Sequence, residues 1–241
     1  MQREARLEFG YYSEEKSLVL NTKSIHLYII AIAVLLSYFT NFGYSDFLEP
    51  FLFLKNNGSY YPSFENTYIV SHEWWRLITP IFLHFSFTHL VFNCLWIYIL
   101  GSRIEIVDGR GVFITLFLIS GLSSNLGQYF WTGNFLFGGL SGAVYGLLGF
   151  CFILDLDYRG QRYNLPSALY IFMFFWLLIG FTGLLKIFGF GNVANIAHLV
   201  GMIAGFILAS IIFYFGPILN KFWEDNRYNK NWQYKLKSQE L

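Results

Sequence analysis

The chain has 241 residues, 55% of them hydrophobic and only 13% charged, with a mean hydropathy of +0.45. Soluble domains carry about 25% charged residues, so this composition excludes an ordinary soluble globule and points to a polytopic membrane protein. A net charge of +1 offers no basic field for nucleic acid. Cys94 and Cys151 lie in apolar runs without metal or redox spacing and read as core thiols.

About 20 apolar residues cross a bilayer as a helix. Six segments qualify, at 25–44, 77–100, 112–131, 137–154, 165–185 and 193–215, which predicts an all-α membrane protein of six spans. The first starts at Ile25 and has no small-residue cleavage site, so it reads as a retained span rather than a signal peptide. Pro166 suits the first turn of the fifth helix, where its missing N–H is tolerated. The organisation expected is a polar tail at 1–24, one helical unit at 25–216 with an external loop at 45–75, and a second polar tail at 217–241. With the N-terminus in the cytoplasm, thirteen Lys and Arg fall on inner segments and only Lys55, Arg76 and Lys186 on outer ones. That bias places both termini in the cytoplasm.

The second, fourth and sixth spans then all run inward, so their N-terminal ends share one level near the outer surface. His89 and Asn93 lie in the first half of span two, Ser141 near the start of span four, and His198 near the start of span six. Polar and ionisable groups inside a membrane are disfavoured, and mark functional sites by default.

Small residues bring these segments together. Gly138, Gly142 and Gly146 recur every four residues, and Ala197, Gly201, Gly205 and Ala209 repeat the spacing in span six. Such faces let helix backbones approach closely in lipid. Close contact sets Ser141, just before Gly142, near His198, three residues before Gly201. A serine beside a neutral imidazole is the minimum for an activated nucleophile. His89 and Asn93, four apart, share a helix face and both donate towards a developing oxyanion. Tyr145 lies four residues after Ser141, placed to stack on the His198 ring. His84 falls on another face and reads as structural, holding the preceding loop. Singly, each has a plainer reading: a serine back-bonding to its own helix, a histidine in a proton relay or a satisfied core, an asparagine joining helices. Their common depth is what favours a site.

Neighbouring chemistries fail on the residues. His72-Glu73-Trp74-Trp75-Arg76 has Arg where the zinc motif His-Glu-x-x-His needs its second His, so no metal is expected. The aspartates at 46, 108, 155, 157 and 225 fall in loops, tails or span ends, unlike a pair sharing a proton within the membrane. Gly139-Leu140-Ser141-Gly142-Ala143 departs from the soluble-hydrolase elbow at its fifth residue. No phosphate-cradling loop is present, and no cofactor is expected.

The chain resembles the rhomboid intramembrane serine protease family. Gly139-Leu140-Ser141-Gly142 is similar to its Gly-x-Ser-Gly motif, and Ala197-His198-Leu199-Val200-Gly201 to its catalytic His followed by Gly. His84 to Asn93 is similar to the second-helix His…His-x-x-x-Asn signature, and Trp75-Arg76 to the Trp-Arg of the first loop. The similarity covers roughly residues 70–215, in a six-span layout like that of the bacterial GlpG type. It implies a dyad of Ser141 as nucleophile and His198 as base, without an acidic third member. It also implies an oxyanion hole from the Ser141 N–H, His89 and Asn93, with Tyr145 stacked on His198. Asn195 and Trp176 match positions near the family's active site and substrate gate. The chain departs from GlpG proteins that carry a folded domain before the first span, which 24 residues cannot form. The expected activity is hydrolysis of peptide bonds in or near transmembrane helices of protein substrates, most simply in a bacterial inner membrane. The sequence specifies no oligomer. A catalytically dead relative that binds membrane helices would lack the Ser or the His, and both are present. A transporter needs polar residues across the whole bilayer, and here they cluster in the outer half.

Overall fold

The computed structural model of the chain describes residues 24–56, 62–156, 162–190 and 192–219. Apart from residue 24 and residues 217–219, the two expected tails lie outside these. The regular elements among the described residues are all helical. Six main helices follow in chain order: α1 Ile25–Phe39, α2 Phe87–Val107, α3 Arg110–Thr132, α4 Ser141–Asp155, α5 Ser167–Phe181 and α6 Asn195–Leu219.

The second helix begins later than its hydropathy suggests. Pro80 sits in a single 3-10 turn, Thr79–Phe82, and Leu83 is extended. The chain becomes helical only where the Ser86 hydroxyl accepts a hydrogen bond from the His89 N–H at 3.2 Å, a serine N-cap. Inside α2 a π-turn spans Ile97–Gly101. There Gly101 leaves room for His26, whose backbone N–H and ring both meet Glu105, at 2.6 and 3.1 Å.

The fourth helix also starts late. Gly139 has φ +131°, a conformation open to glycine, so residues 134–139 run as irregular chain. The expected glycine face is corrected here: Gly138 precedes the helix and packs on Pro80 and Leu83, leaving Gly142, Gly146 and Gly149 on the contact surface. α4 is the centre of the molecule, with twelve of its fifteen residues buried. Its most extensive neighbour is α6, followed by α3. A Cβ on Gly201 would overlap the Gly142 carbonyl, and one on Gly205 that of Gly146, so these backbones touch directly.

The 45–75 loop folds back on this core. Arg76, 2% exposed, donates to the Glu49 carbonyl at 2.6 Å and the Leu52 carbonyl at 3.2 Å, and pairs with the Glu73 and Glu49 carboxylates. Lys55 joins Glu73 at 2.5 Å. Phe53 is fully buried against Tyr68, Tyr129 and Phe137, which ties the loop to the segment leading into Ser141. At the opposite end, Tyr163 donates to Asp108 and Tyr170 to Asp155, both at 2.6 Å. The first bond ties the segment before α5 to the turn between α2 and α3, and the second fastens the start of α5 to the end of α4.

Among the described residues three helices are long and apolar enough to cross a membrane: Phe87–Val107, Arg110–Thr132 and Asn195–Phe213. α1, α4 and α5 are apolar but have 15 residues each, about 22 Å of helix against a hydrocarbon core about 30 Å thick. For α4 the shortfall falls at its start, because the glycine-led segment before Ser141 is not helical. Exposed apolar side chains such as Leu35 and Tyr38 on α1, Ile171 and Phe175 on α5, and Ile203 and Ile207 on α6 suit contact with lipid.

Candidate active site

Ser141 is the first residue of α4 and His198 lies in the first turn of α6. Their side chains meet at 2.7 Å, Oγ to Nε2, with both residues buried. The first N–H groups of a helix have no partner within it, and the helix dipole is positive there. The hydroxyl thus sits at a helix start that favours developing negative charge. Tyr145, one turn further along α4, lays its ring against His198, with centroids 4.7 Å apart at 31°. Its hydroxyl is held by the Met173 carbonyl of α5 at 3.2 Å.

Gly139 sets the third side of the site. A Cβ there would fall 2.7 Å from the His89 ring and 3.6 Å from the Asn93 amide nitrogen, so only glycine lets both approach the chain two residues before Ser141. The His89 Nε2 is buried and has no partner among the described residues. His84 is more than a loop support. Its Nδ1 lies 3.2 Å from the Phe82 carbonyl, which fixes the proton on that nitrogen. Nε2 then accepts from the Asn93 amide at 3.2 Å and from the Leu140 N–H at 3.4 Å. One imidazole thereby orients Asn93 and the residue before Ser141 together.

Trp176 stacks on Phe92 at 5.0 Å and, with Trp96, His89, Asn93, Ser141, Tyr145 and His198, lines a narrow cleft between α2 and α5. Asn195 is not in the cleft wall. It opens α6 and donates to the Gly180 carbonyl at 2.8 Å, holding the end of α5. Gly142 and Gly201 form the helix contact behind the serine. Two contributors were not singled out from the sequence. The Gln128 side chain of α3 accepts from the Ala197 N–H at 3.0 Å, anchoring the first turn of α6. Trp96, seven residues after His89, shares its face of α2, and that spacing is the signal that finds it. Among the described residues no group of His, Cys, Asp and Glu is arranged to hold a metal ion.

Residues 71–215 match the Rhomboid domain family model, more than half of the chain. This protein belongs to the rhomboid family. Similar proteins include the rhomboid protease GlpG of Serratia proteamaculans (strain 568), 36% identical over 135 residues, which is 56% of this chain and 47% of that protein. The GlpG proteins of Photorhabdus laumondii and Pectobacterium atrosepticum are also 36% identical, over 137 and 140 residues. They too are matched over 47% of their length, so the chain spans about half the length of the relatives it matches. The matched region of this rhomboid holds Ser141, His198, His84, His89, Asn93, Tyr145 and Trp176 together. Family membership and its long apolar helices make it an integral membrane protein.

Proposed function

We propose that this rhomboid is a serine intramembrane protease that hydrolyses a peptide bond in or near a transmembrane helix of a protein substrate. The observation that carries the reading is the 2.7 Å contact between Ser141 Oγ and His198 Nε2 at two adjoining helix N-termini. Ser141 attacks the scissile carbonyl as His198 takes its proton, then His198 returns that proton to the leaving amine. Water, deprotonated by the same imidazole, releases the acyl group and restores the serine. His89 Nε2, the Asn93 amide and the Ser141 N–H stabilise the tetrahedral oxyanion. His84 holds Asn93 for that task, and Tyr145 holds the His198 ring. The dyad works without an acidic third residue, a metal or a cofactor.

Six spans with both termini in the cytoplasm fit the Lys and Arg distribution, and a bacterial inner membrane is the simplest home. The short α4 leaves Ser141 below the outer surface, reached by water from outside. Substrate enters between α2 and α5, where Trp176 and Phe92 meet, and has to unwind there because a helical carbonyl is already hydrogen-bonded. Substrates with glycine or other helix breakers near the cut are therefore preferred. The test is labelling of purified protein in detergent by a fluorophosphonate, beside Ser141→Ala and His198→Ala. Labelling of the wild type alone supports the reading, and folded wild type that stays unlabelled overturns it.

A further inference from the structure

The cleft contains a buried polar group that the chemistry above does not use. The Trp96 indole nitrogen is buried without a hydrogen-bond partner among the described residues. The side chain is only 7% exposed and lines the same cleft as Ser141 and His198. An indole N–H can only donate, and a donor left unpaired in a dry interior is disfavoured. Phenylalanine would fill much of the same space without that penalty. Among the described residues the other buried unpartnered nitrogen in this cleft is His89 Nε2, which the proposed reaction pairs with a carbonyl oxygen.

Position says which carbonyl suits Trp96. His89, Asn93 and Trp96 fall at helical spacing on one face of α2, and Trp96 lies about 4.5 Å further along the axis than Asn93. Since α2 runs away from the serine end of the molecule, Trp96 is on the deeper side of the oxyanion donors. Successive residues of an extended chain advance about 3.3 Å. A strand with its scissile carbonyl at His89 and Asn93 therefore carries another carbonyl to the level of Trp96 within one or two residues. Deeper than the water that reaches Ser141, an unwound backbone has no solvent partner for its carbonyls, so the cleft has to supply donors.

We infer that the Trp96 indole N–H donates a hydrogen bond to a backbone carbonyl of the unwound substrate, one or two residues to the membrane side of the scissile bond. This rests on the protease reading. Phe172, whose ring lies 6.1 Å from that of Trp96, and Trp176 draw aside with α5 as the substrate enters. Trp96 then holds the part of the substrate that would otherwise re-form its helix.

The experiment replaces Trp96 with benzothienylalanine, which keeps the shape and removes the N–H, and separately with phenylalanine (Trp96→Phe). The probe is a synthetic single-span peptide whose cut bond is located by mass spectrometry. Single thioamides, weaker acceptors than amides, are placed at each of the three residues on the membrane side of that bond. Fluorophosphonate labelling of Ser141 reports the state of the dyad in each variant, and peptide turnover is expected to fall about 5- to 10-fold beyond any change in that labelling. One thioamide position slows the wild type by a similar factor and slows the benzothienyl variant no further. Wild-type turnover in the benzothienyl variant, equal thioamide effects in both enzymes, or loss of labelling on removing the N–H would each overturn the inference. A wild type that is neither labelled nor active would instead sink the protease reading, and this inference with it.

Discussion

Gly142 and Gly201 meet backbone to backbone, and this contact brings Ser141 and His198 to 2.7 Å. These two side chains are short and buried, so the helices carrying them have to approach more closely than any Cβ permits. Replacing Gly201 tests this relationship. Gly201→Val pushes α6 from α4 by an ångström or more, and a displacement of that size costs about 10²-fold in rate. Fluorophosphonate labelling should fall by that factor, with a smaller loss in Gly201→Ala. Gly111, near the start of α3, has nothing within 4 Å of an added Cβ, and Gly111→Ala should label normally.

The proposed oxyanion donors should appear in kcat. Asn93→Ala or His89→Phe is expected to lower turnover of a transmembrane peptide by about 10²–10³. His84→Phe acts through Asn93 and should cost less, about tenfold, without moving the cleavage site. Steady-state kinetics with product mass spectrometry distinguishes these outcomes. Equal losses in all three variants would remove the distinction between contact with substrate and support of a neighbour.

Arg76 joins two segments of the 45–75 loop, 49–52 and Glu73, through two carbonyls and two carboxylates. Removing one partner of a buried pair leaves the other charge uncompensated, at about 3–5 kcal/mol. Arg76→Ala should lower the Tm in detergent accordingly. Arg76→Lys should recover little of it, because an ammonium cannot reproduce the planar fork. A Tm within a degree of wild type in the alanine variant would show that the loop is held by its aromatic rings alone.

Acid should loosen the same loop. Burial alone would push the Glu73 carboxyl up, but the hydrogen bonds and charges of Lys55 and Arg76 outweigh it and hold the group below its usual 4.5. A carboxyl depressed by folding contributes stability that is present above its unfolded value, near 4.5, and lost as pH falls through the lower folded value. Melting curves of wild type and Glu73→Gln should therefore keep a constant separation at neutral pH and converge below about 4.5. A separation unchanged down to pH 3 would contradict the assignment.

The helical character of the chain and the polar residues of the site were legible in the sequence, because a membrane allows few backbones and tolerates few polar side chains. His89 to Asn93 spacing and the small residues around Ser141 and His198 carried that information locally. Helix starts were less legible. Hydropathy alone extends α2 back to 77 and α4 back to 137, since Pro80, Leu83, Gly138 and Leu140 are as apolar as the helices they precede. Their backbone is decided by a missing N–H, a serine cap and a positive φ.

What the sequence determined by itself was the solvent, the helix class and which rare polar residues had to be explained. Only the tertiary structure decided how those residues serve each other. His84 bridges Asn93 to Leu140, Gln128 anchors α6 from α3, and the Trp96 N–H has no partner among the described residues. The physical reason is range. Hydropathy and glycine spacing act along one helix, whereas a hydrogen bond depends on where two distant segments bring their atoms, and no single segment encodes that.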